Sequence, residues 1–233
     1  MSLSALIFDV DGTLAETEEV HRRAFNEIFH EAGLDWHWSE DDYSRLLLTT
    51  GGKERMRAHR DAIGRDEPDD ERIAALHTRK TARYGQIVHS GGLTLRDGMG
   101  ELIGAAHRAG TRLAVATTTS RGNVDALCQA CLGKPAQELF EVIAAGDEVT
   151  RKKPAPDIYE LALQRLDVSP ERALAFEDTR NGLLSAKGAR LRVIASPSAY
   201  ARNEDFREAD WLVPDWSVRR LPAIVRALLG QPN

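Results

Sequence analysis

Five short apolar runs constrain this sequence more than any other feature. They cover residues 4–9, 112–117 (RLAVAT), 142–145, 173–177 (ALAFE) and 191–195 (LRVIA). Runs of this length that are apolar throughout, without alternation, read as strands buried on both faces. Alternated with helices, they predict a parallel sheet covered on both sides. The intervening stripes agree. Met99, Leu102, Ile103 and Ala106 recur at helical spacing and stop at Gly110, while Ile158, Leu161, Ala162 and Leu166 follow Pro154 and Pro156.

Residues 17–92 interrupt the alternation, because they carry no convincing strand signal. Val20, Phe25, Ile28, Phe29 and Ala32 form a helical stripe that Gly33 is placed to stop. Further helices are expected over 40–48, 53–63 and 70–88. The predicted architecture is an α/β, Rossmann-like parallel-sheet core made of residues 1–16 and 93–233, with an all-helical cap of residues 17–92 inserted. The last residues, 230–233, are expected to fray.

At 233 residues the chain is long enough to bury a sizeable core as one domain with an insertion. With 36 acidic against 31 basic side chains it has a formal net charge of -5, so it lacks the basic face that nucleic acid requires. No apolar run approaches the roughly 18 residues of a spanning helix, and the N-terminus lacks the pattern of a secretory signal. A cytoplasmic monomer is expected, with neither nucleic acid nor membrane as partner. Cys128 and Cys131 are the two cysteines. Their C-x-x-C spacing falls in a helical run without histidines to complete a zinc shell, so they read as buried small hydrophobes in preference to a redox pair.

The strongest chemical signal is Phe8-Asp9-Val10-Asp11-Gly12-Thr13-Leu14. Carboxylates at i and i+2 at a strand end project to the same side, and Gly12 lets the chain turn away. Alone, Asp-Gly reads more readily as an ordinary turn. Three further segments fall at or just beyond predicted strand ends, where open parallel sheets bind ligands: the hydroxyl row 117–120, Lys152-Lys153-Pro154, and Phe176-Glu177-Asp178. Two carboxylates side by side call for a compensating hard cation, and Mg²⁺ favours one or two carboxylates plus phosphate oxygens.

These segments, taken in order, resemble the four motifs of the haloacid dehalogenase superfamily of phosphohydrolases: Asp9-x-Asp11-Gly12-Thr13, Thr117, Lys153-Pro154 and Glu177-Asp178. The resemblance covers essentially the whole chain. It implies Asp9 as nucleophile forming an aspartyl phosphate, and Asp11 as acid and base. Lys153 would neutralise charge and Thr117 would hold a phosphate oxygen. Mg²⁺ would be bound by Asp9, the backbone carbonyl of Asp11 and Asp178, with Glu177 assisting. An aspartate half-protonated at pH 7 needs its pKa raised from about 3.9 to about 7, so Asp11 is expected to be shifted upward.

In the inserted unit, Gly51 and Gly52 precede a helix start beside Lys53 and Arg55, a plausible anion site that reads equally as a loop before a solvated basic helix. Glu18 and His21 share one helix face near Asp11. The entry Ala15-Glu16-Thr17-Glu18 and residues 49–55, 114–120 and 144–156 are similar to CbbY-type xylulose-1,5-bisphosphate phosphatases. That likeness implies Glu18, His21, Gly52, Lys53, Arg55, Lys80, Thr118, Thr119, Ser120 and Arg121 as contacts to a sugar phosphate substrate. Thr179 stands where the likeness predicts serine, and keeps a hydroxyl. The rival readings are a β-phosphoglucomutase-like phosphomutase, in whose pattern valine replaces Thr13, a phosphoglycolate phosphatase, and a non-catalytic phosphosugar sensor.

Overall fold

The computed structural model describes residues 3–230. Strands β1 (Ala5–Phe8), β2 (Arg112–Thr117), β3 (Val142–Ala145), β4 (Ala173–Glu177), β5 (Arg192–Ala195) and β6 (Trp211–Leu212) form one sheet in the order β3-β2-β1-β4-β5-β6. Every pairing is parallel. The strands lie within a residue or so of the predicted runs. The exception is β6, a two-residue edge strand that the sequence reading missed, since two residues carry no periodicity.

Phe8 is in register with Val115 on one side and Phe176 on the other, so the carboxyl ends of β1, β2 and β4 come together. The strand order reverses at β1, and the chain leaves its carboxyl end at that switch point. Side-chain alternation divides the core into two layers. Leu6 and Phe8 pack with α5 (Met99–Arg108), α6 (Arg121–Leu132), α7 (Ala136–Leu139) and α10 (Ala223–Leu228). Ala5 and Ile7 pack with α8 (Asp157–Leu166) and α9 (Arg180–Gly188).

Between β1 and α5 run α1 (Glu18–Glu31), α2 (Glu40–Leu46), α3 (Gly52–Ala62) and α4 (Asp70–His89). They close around a hydrophobic cluster of their own, in which Phe25, Phe29, Trp36, Trp38 and Tyr43 dominate. Helix α4 also leans on α6, where Gly85 faces Ala126. The two connections to the sheet run side by side, through bridges from Ala15 to Asp11 and to Leu95. Arg96 fastens this junction by donating to Gly12 O at 2.6 Å, Ser196 O at 2.7 Å and Pro197 O at 3.0 Å.

Cys128 is buried and Cys131 half-buried. Both are free, and burial pushes the Cys128 thiol up to about 12, so neither is a reactive thiolate. Among the described residues no helix is long and apolar enough to cross a membrane. The expected fraying falls, past Gly230, outside the described residues. Ile7 is fully buried on the central strand. Ile7→Ala is therefore expected to cost about 2–5 kcal/mol in urea unfolding, and a loss well under that range would contradict the placement of the core.

Candidate active site

Asp9 follows the last residue of β1, and its amide still donates to Phe176 O at 3.1 Å, which fixes where its carboxylate emerges. Lys153, from the segment between β3 and α8, reaches across to donate to Asp9 Oδ1 at 2.6 Å and Glu177 Oε1 at 2.7 Å. Tyr159 OH donates to the same Glu177 oxygen at 2.6 Å. Asp178 Oδ1 accepts from Thr13 Oγ1 at 3.0 Å. All three carboxylates are buried, and one oxygen from each lies within 4.8 Å of the others.

Lys153 pairs with two of these three acids, while Asp178 feels Arg96 without forming an ion pair with it, so the charges of the cluster are not balanced. Burial raises the Asp9 pKa to about 7 even though Lys153 opposes it, and burial with Asp9 and Glu177 pushes Asp178 well above the usual carboxylate range. The backbone is shaped to the acids. A Cβ on Gly12, at φ +79°, would lie 2.0 Å from Asp178 Oδ2, and one on Gly182 would lie 1.9 Å from Glu177 Oε2. Closely held hard oxygens with surplus negative charge suit a divalent cation, which would neutralise a cluster that is otherwise costly to bury.

Asp11 has a different environment and its carboxylate is not in that cluster. Its Oδ1 accepts from Thr17 Oγ1 at 2.6 Å and contacts His21 Nε2 at 2.9 Å. Behind it, Lys80 Nζ lies 2.7 Å from His21 Nδ1. With Lys80 as an ammonium, Nδ1 must accept, so Nε2 carries the proton that points at Asp11. Burial alone would raise the Asp11 pKa, but His21, Thr17 and Lys80 outweigh it and hold the carboxyl well below the ordinary range. The upward shift expected for Asp11 is therefore reversed, and Asp9 is the raised member of the pair. The cause is the inserted helices, which bring donors to Asp11, whereas Asp9 shares its lysine with Glu177.

A cavity of about 550 Å³ lies between α1–α4 and the strand ends. Every candidate named from the sequence lines it except Glu177 and Asp178, which are buried behind it. Several are committed to protein partners. Arg55 donates to Tyr43 OH at 2.8 Å and Leu46 O at 3.2 Å, and Tyr43 OH donates to Glu18 Oε2 at 2.9 Å. Ser120 caps α6 by accepting from Asn123 N at 3.3 Å, Thr119 Oγ1 accepts from Asn123 Nδ2 at 2.8 Å, and the half-exposed Arg121 lies 3.4 Å from Asp125. Thr117 accepts from Thr119 N at 3.3 Å, which leaves its hydroxyl proton for a ligand, and Thr118 stands half-buried beside it. Gly52 makes room for His77, whose Nε2 lies 2.5 Å from where a Gly52 Cβ would be. Lys53 pairs with Asp147. Thr179 caps α9 by accepting from Gly182 N at 3.2 Å, a task for which serine or threonine serves.

Sequence reasoning missed Thr17, Tyr43, His77, Asp147 and Tyr159. Tyr159 lies beside Ile158 in a core stripe, where nothing marks its hydroxyl as aimed at Glu177. Thr17 precedes α1 like a capping residue but makes no cap bond, and its hydroxyl goes to Asp11 instead.

A buried acid cluster with one lysine, at the carboxyl edge of a parallel sheet and under a helical roof, defines an acid-centred hydrolase. Residues 3–190 match the haloacid dehalogenase-like hydrolase model, and the chain belongs to that family. It is 59% identical over 224 residues to Protein CbbY of Rhodobacter capsulatus, covering 96% of this chain and 98% of that protein. It is 56% identical to Protein CbbY of Cereibacter sphaeroides, covering 92% and 93%. A crystal structure of a CbbY mutant from Rhodobacter sphaeroides in complex with xylulose-(1,5)bisphosphate superposes with a TM-score of 0.89 at 55% identity, covering 92% of this chain and 95% of that one.

Two outcomes test this geometry. In an ordinary helix Gly→Ala stabilises by up to about 1 kcal/mol, but Gly182→Ala is expected to destabilise by about 1–3 kcal/mol through overpacking against Glu177. Chemical denaturation would show the sign. Because the folded Asp9 pKa lies above its ordinary 3.8, Asp9 favours the cation-free fold at low pH, and that contribution is lost as pH rises toward about 7. A divalent cation competes with that proton. It should raise Tm more at pH 8 than at pH 5, and equal increments would count against the cluster as its site.

Proposed function

We propose that the chain is a Mg²⁺-dependent phosphatase that acts on a sugar bisphosphate, xylulose-1,5-bisphosphate, through an aspartyl-phosphate on Asp9. The observation that carries this reading is the division of labour at the strand ends: Lys153 holds one Asp9 oxygen, leaving the other to attack, while Asp11 is tied to a separate hydrogen-bonded line. The bisphosphate in the similar crystal structure supports the choice of substrate. Asp9 and Asp178, with the Asp11 carbonyl and Glu177 close by, would hold Mg²⁺, which polarises the phosphoryl oxygens when bound.

The protein's own groups account for the rest. Asp9 Oδ2 attacks phosphorus, splitting one displacement into two easier ones. Lys153 balances the charge of nucleophile and phosphate, and the Thr117 hydroxyl donates to a phosphoryl oxygen. Asp11 is held ionised, so the proton it gives the departing sugar oxygen is delivered to it. His21 Nε2 is placed to pass that proton, and Lys80, whose pKa burial lowers to about 7, is placed to replace it on Nδ1. In the second step Asp11 takes a proton from water and the line runs backward.

Residues 17–92 act in this reading as a cap, contributing His21, Lys80 and, at the far end, Lys53 and Arg55. A remote phosphate gives the cap an anion to close on, and its binding energy goes into positioning and water exclusion. Thr13 supports hydrolysis over phosphate return to the sugar, since its hydroxyl is bound to Asp178 where valine would offer none. Two unpaired thiols suit a reducing cytoplasm.

A panel of sugar mono- and bisphosphates assayed with Mg²⁺ should give the highest kcat/KM for xylulose-1,5-bisphosphate, with lower kcat for the corresponding monophosphate. Release of inorganic phosphate identifies a hydrolase; an isomeric phosphosugar without release would identify a mutase, and neither a sensor. Asp9→Asn should abolish release while leaving substrate binding largely intact, and persistent turnover would remove Asp9 from its role.

A further inference from the structure

The loop after β3 carries a carboxylate that the mechanism does not use. Asp147 lines the cavity, its side chain 64% exposed, and its two oxygens meet lysines from opposite sides. Oδ1 accepts from Lys152 Nζ at 3.0 Å, and Oδ2 accepts from Lys53 Nζ. Lys152 also donates to Gly146 O at 2.7 Å and Val149 O at 3.2 Å. An ammonium has three protons, so Lys152 is fully engaged and serves to orient Asp147. Lys53 comes from the first turn of α3, in the inserted unit, and among the described residues Asp147 is the carboxylate paired with it. The pair therefore spans from α3 to the sheet-side loop across the cavity.

A solvent-touched ion pair of this kind is worth at most about fivefold in an equilibrium constant. A phosphate dianion brings more charge and three acceptor oxygens, and can replace a carboxylate on a lysine. We propose that Asp147 is a resident counter-ion on Lys53 that the remote phosphate of the substrate displaces, so that Asp147 screens this subsite from free anions at the cost of opening the pair when the bisphosphate binds. This inference rests on the bisphosphate reading above. While the pair is closed, Lys53 stays in position but offers little free charge to a stray anion. A phosphate tethered through its sugar to another already held at Lys153 and Thr117 arrives at high effective concentration, so it makes the exchange where a free anion does not.

The test compares Asp147→Asn with wild type. For xylulose-1,5-bisphosphate, KM should fall about two- to fivefold without a matching rise in kcat, because no pair has to be opened. For the corresponding monophosphate KM should stay put, and competitive inhibition by sulfate should tighten. In a Lys53→Met background the Asp147→Asn effect on the bisphosphate should vanish. If KM rises, or kcat drops for both substrates alike, the pair is a tether that persists in the complex and the proposal is overturned. An unchanged bisphosphate KM, in an enzyme that prefers the bisphosphate, overturns this proposal alone. A wild type with no preference between the two substrates overturns the bisphosphate reading, and this proposal with it.

Discussion

One ammonium holds the centre of this molecule. Lys153 reaches from the far side of β2 to bind the carboxylates that end β1 and β4, joining the nucleophile candidate to a glutamate with no solvent exposure. Three buried acids around one lysine leave an excess of negative charge that the fold tolerates only by providing for it. Gly12 and Gly182 provide the space, Thr13 and Tyr159 provide donors, and a cation completes the balance in the proposed enzyme. The sheet contributes through register, since Phe8 paired with Phe176 sets Asp9 beside Glu177 and Asp178.

The two aspartates of the first motif show how an insertion changes chemistry without touching the strand that carries it. Two residues apart, they are driven in opposite directions, Asp9 by burial and Asp11 by His21, Thr17 and Lys80. His21 and Lys80 belong to α1 and α4, so the state of Asp11 is set by helices that the core sheet does not supply. The stacking of His21 on Tyr84, with ring centroids 4.2 Å apart, fixes the imidazole plane between Lys80 and Asp11.

Much of this was legible in the sequence because strand ends coincide with changes of residue type. Apolar runs that stop at Asp9, Thr117 and Glu177 announce both the strand and its functional edge, and Gly33 marks the stop of the first inserted helix. What escaped depends on contacts remote in the chain. The hydroxyl of Tyr159 looks like one more core aromatic until Glu177 is seen beside it. Arg55 reads as a free cation, although Tyr43 and Leu46 O engage it. The direction of the Asp11 shift could not be read from a dipeptide spacing, because it depends on residues six, ten and sixty-nine positions away. Strand β6 was too short for any pattern, and Asp147 is one of two adjacent exposed acids, told apart from Glu148 only by the two lysines around it.

Arg96 has a mechanical consequence. Its guanidinium grips the carbonyls of Gly12, Ser196 and Pro197 next to the place where both connecting segments leave the sheet. A swing of the helical roof must therefore pivot around a riveted base, with bending confined to the few backbone torsions beyond the rivet. The turn that follows Asp9 is thereby pinned to the sheet side of the junction, so its position is set independently of the helices above it.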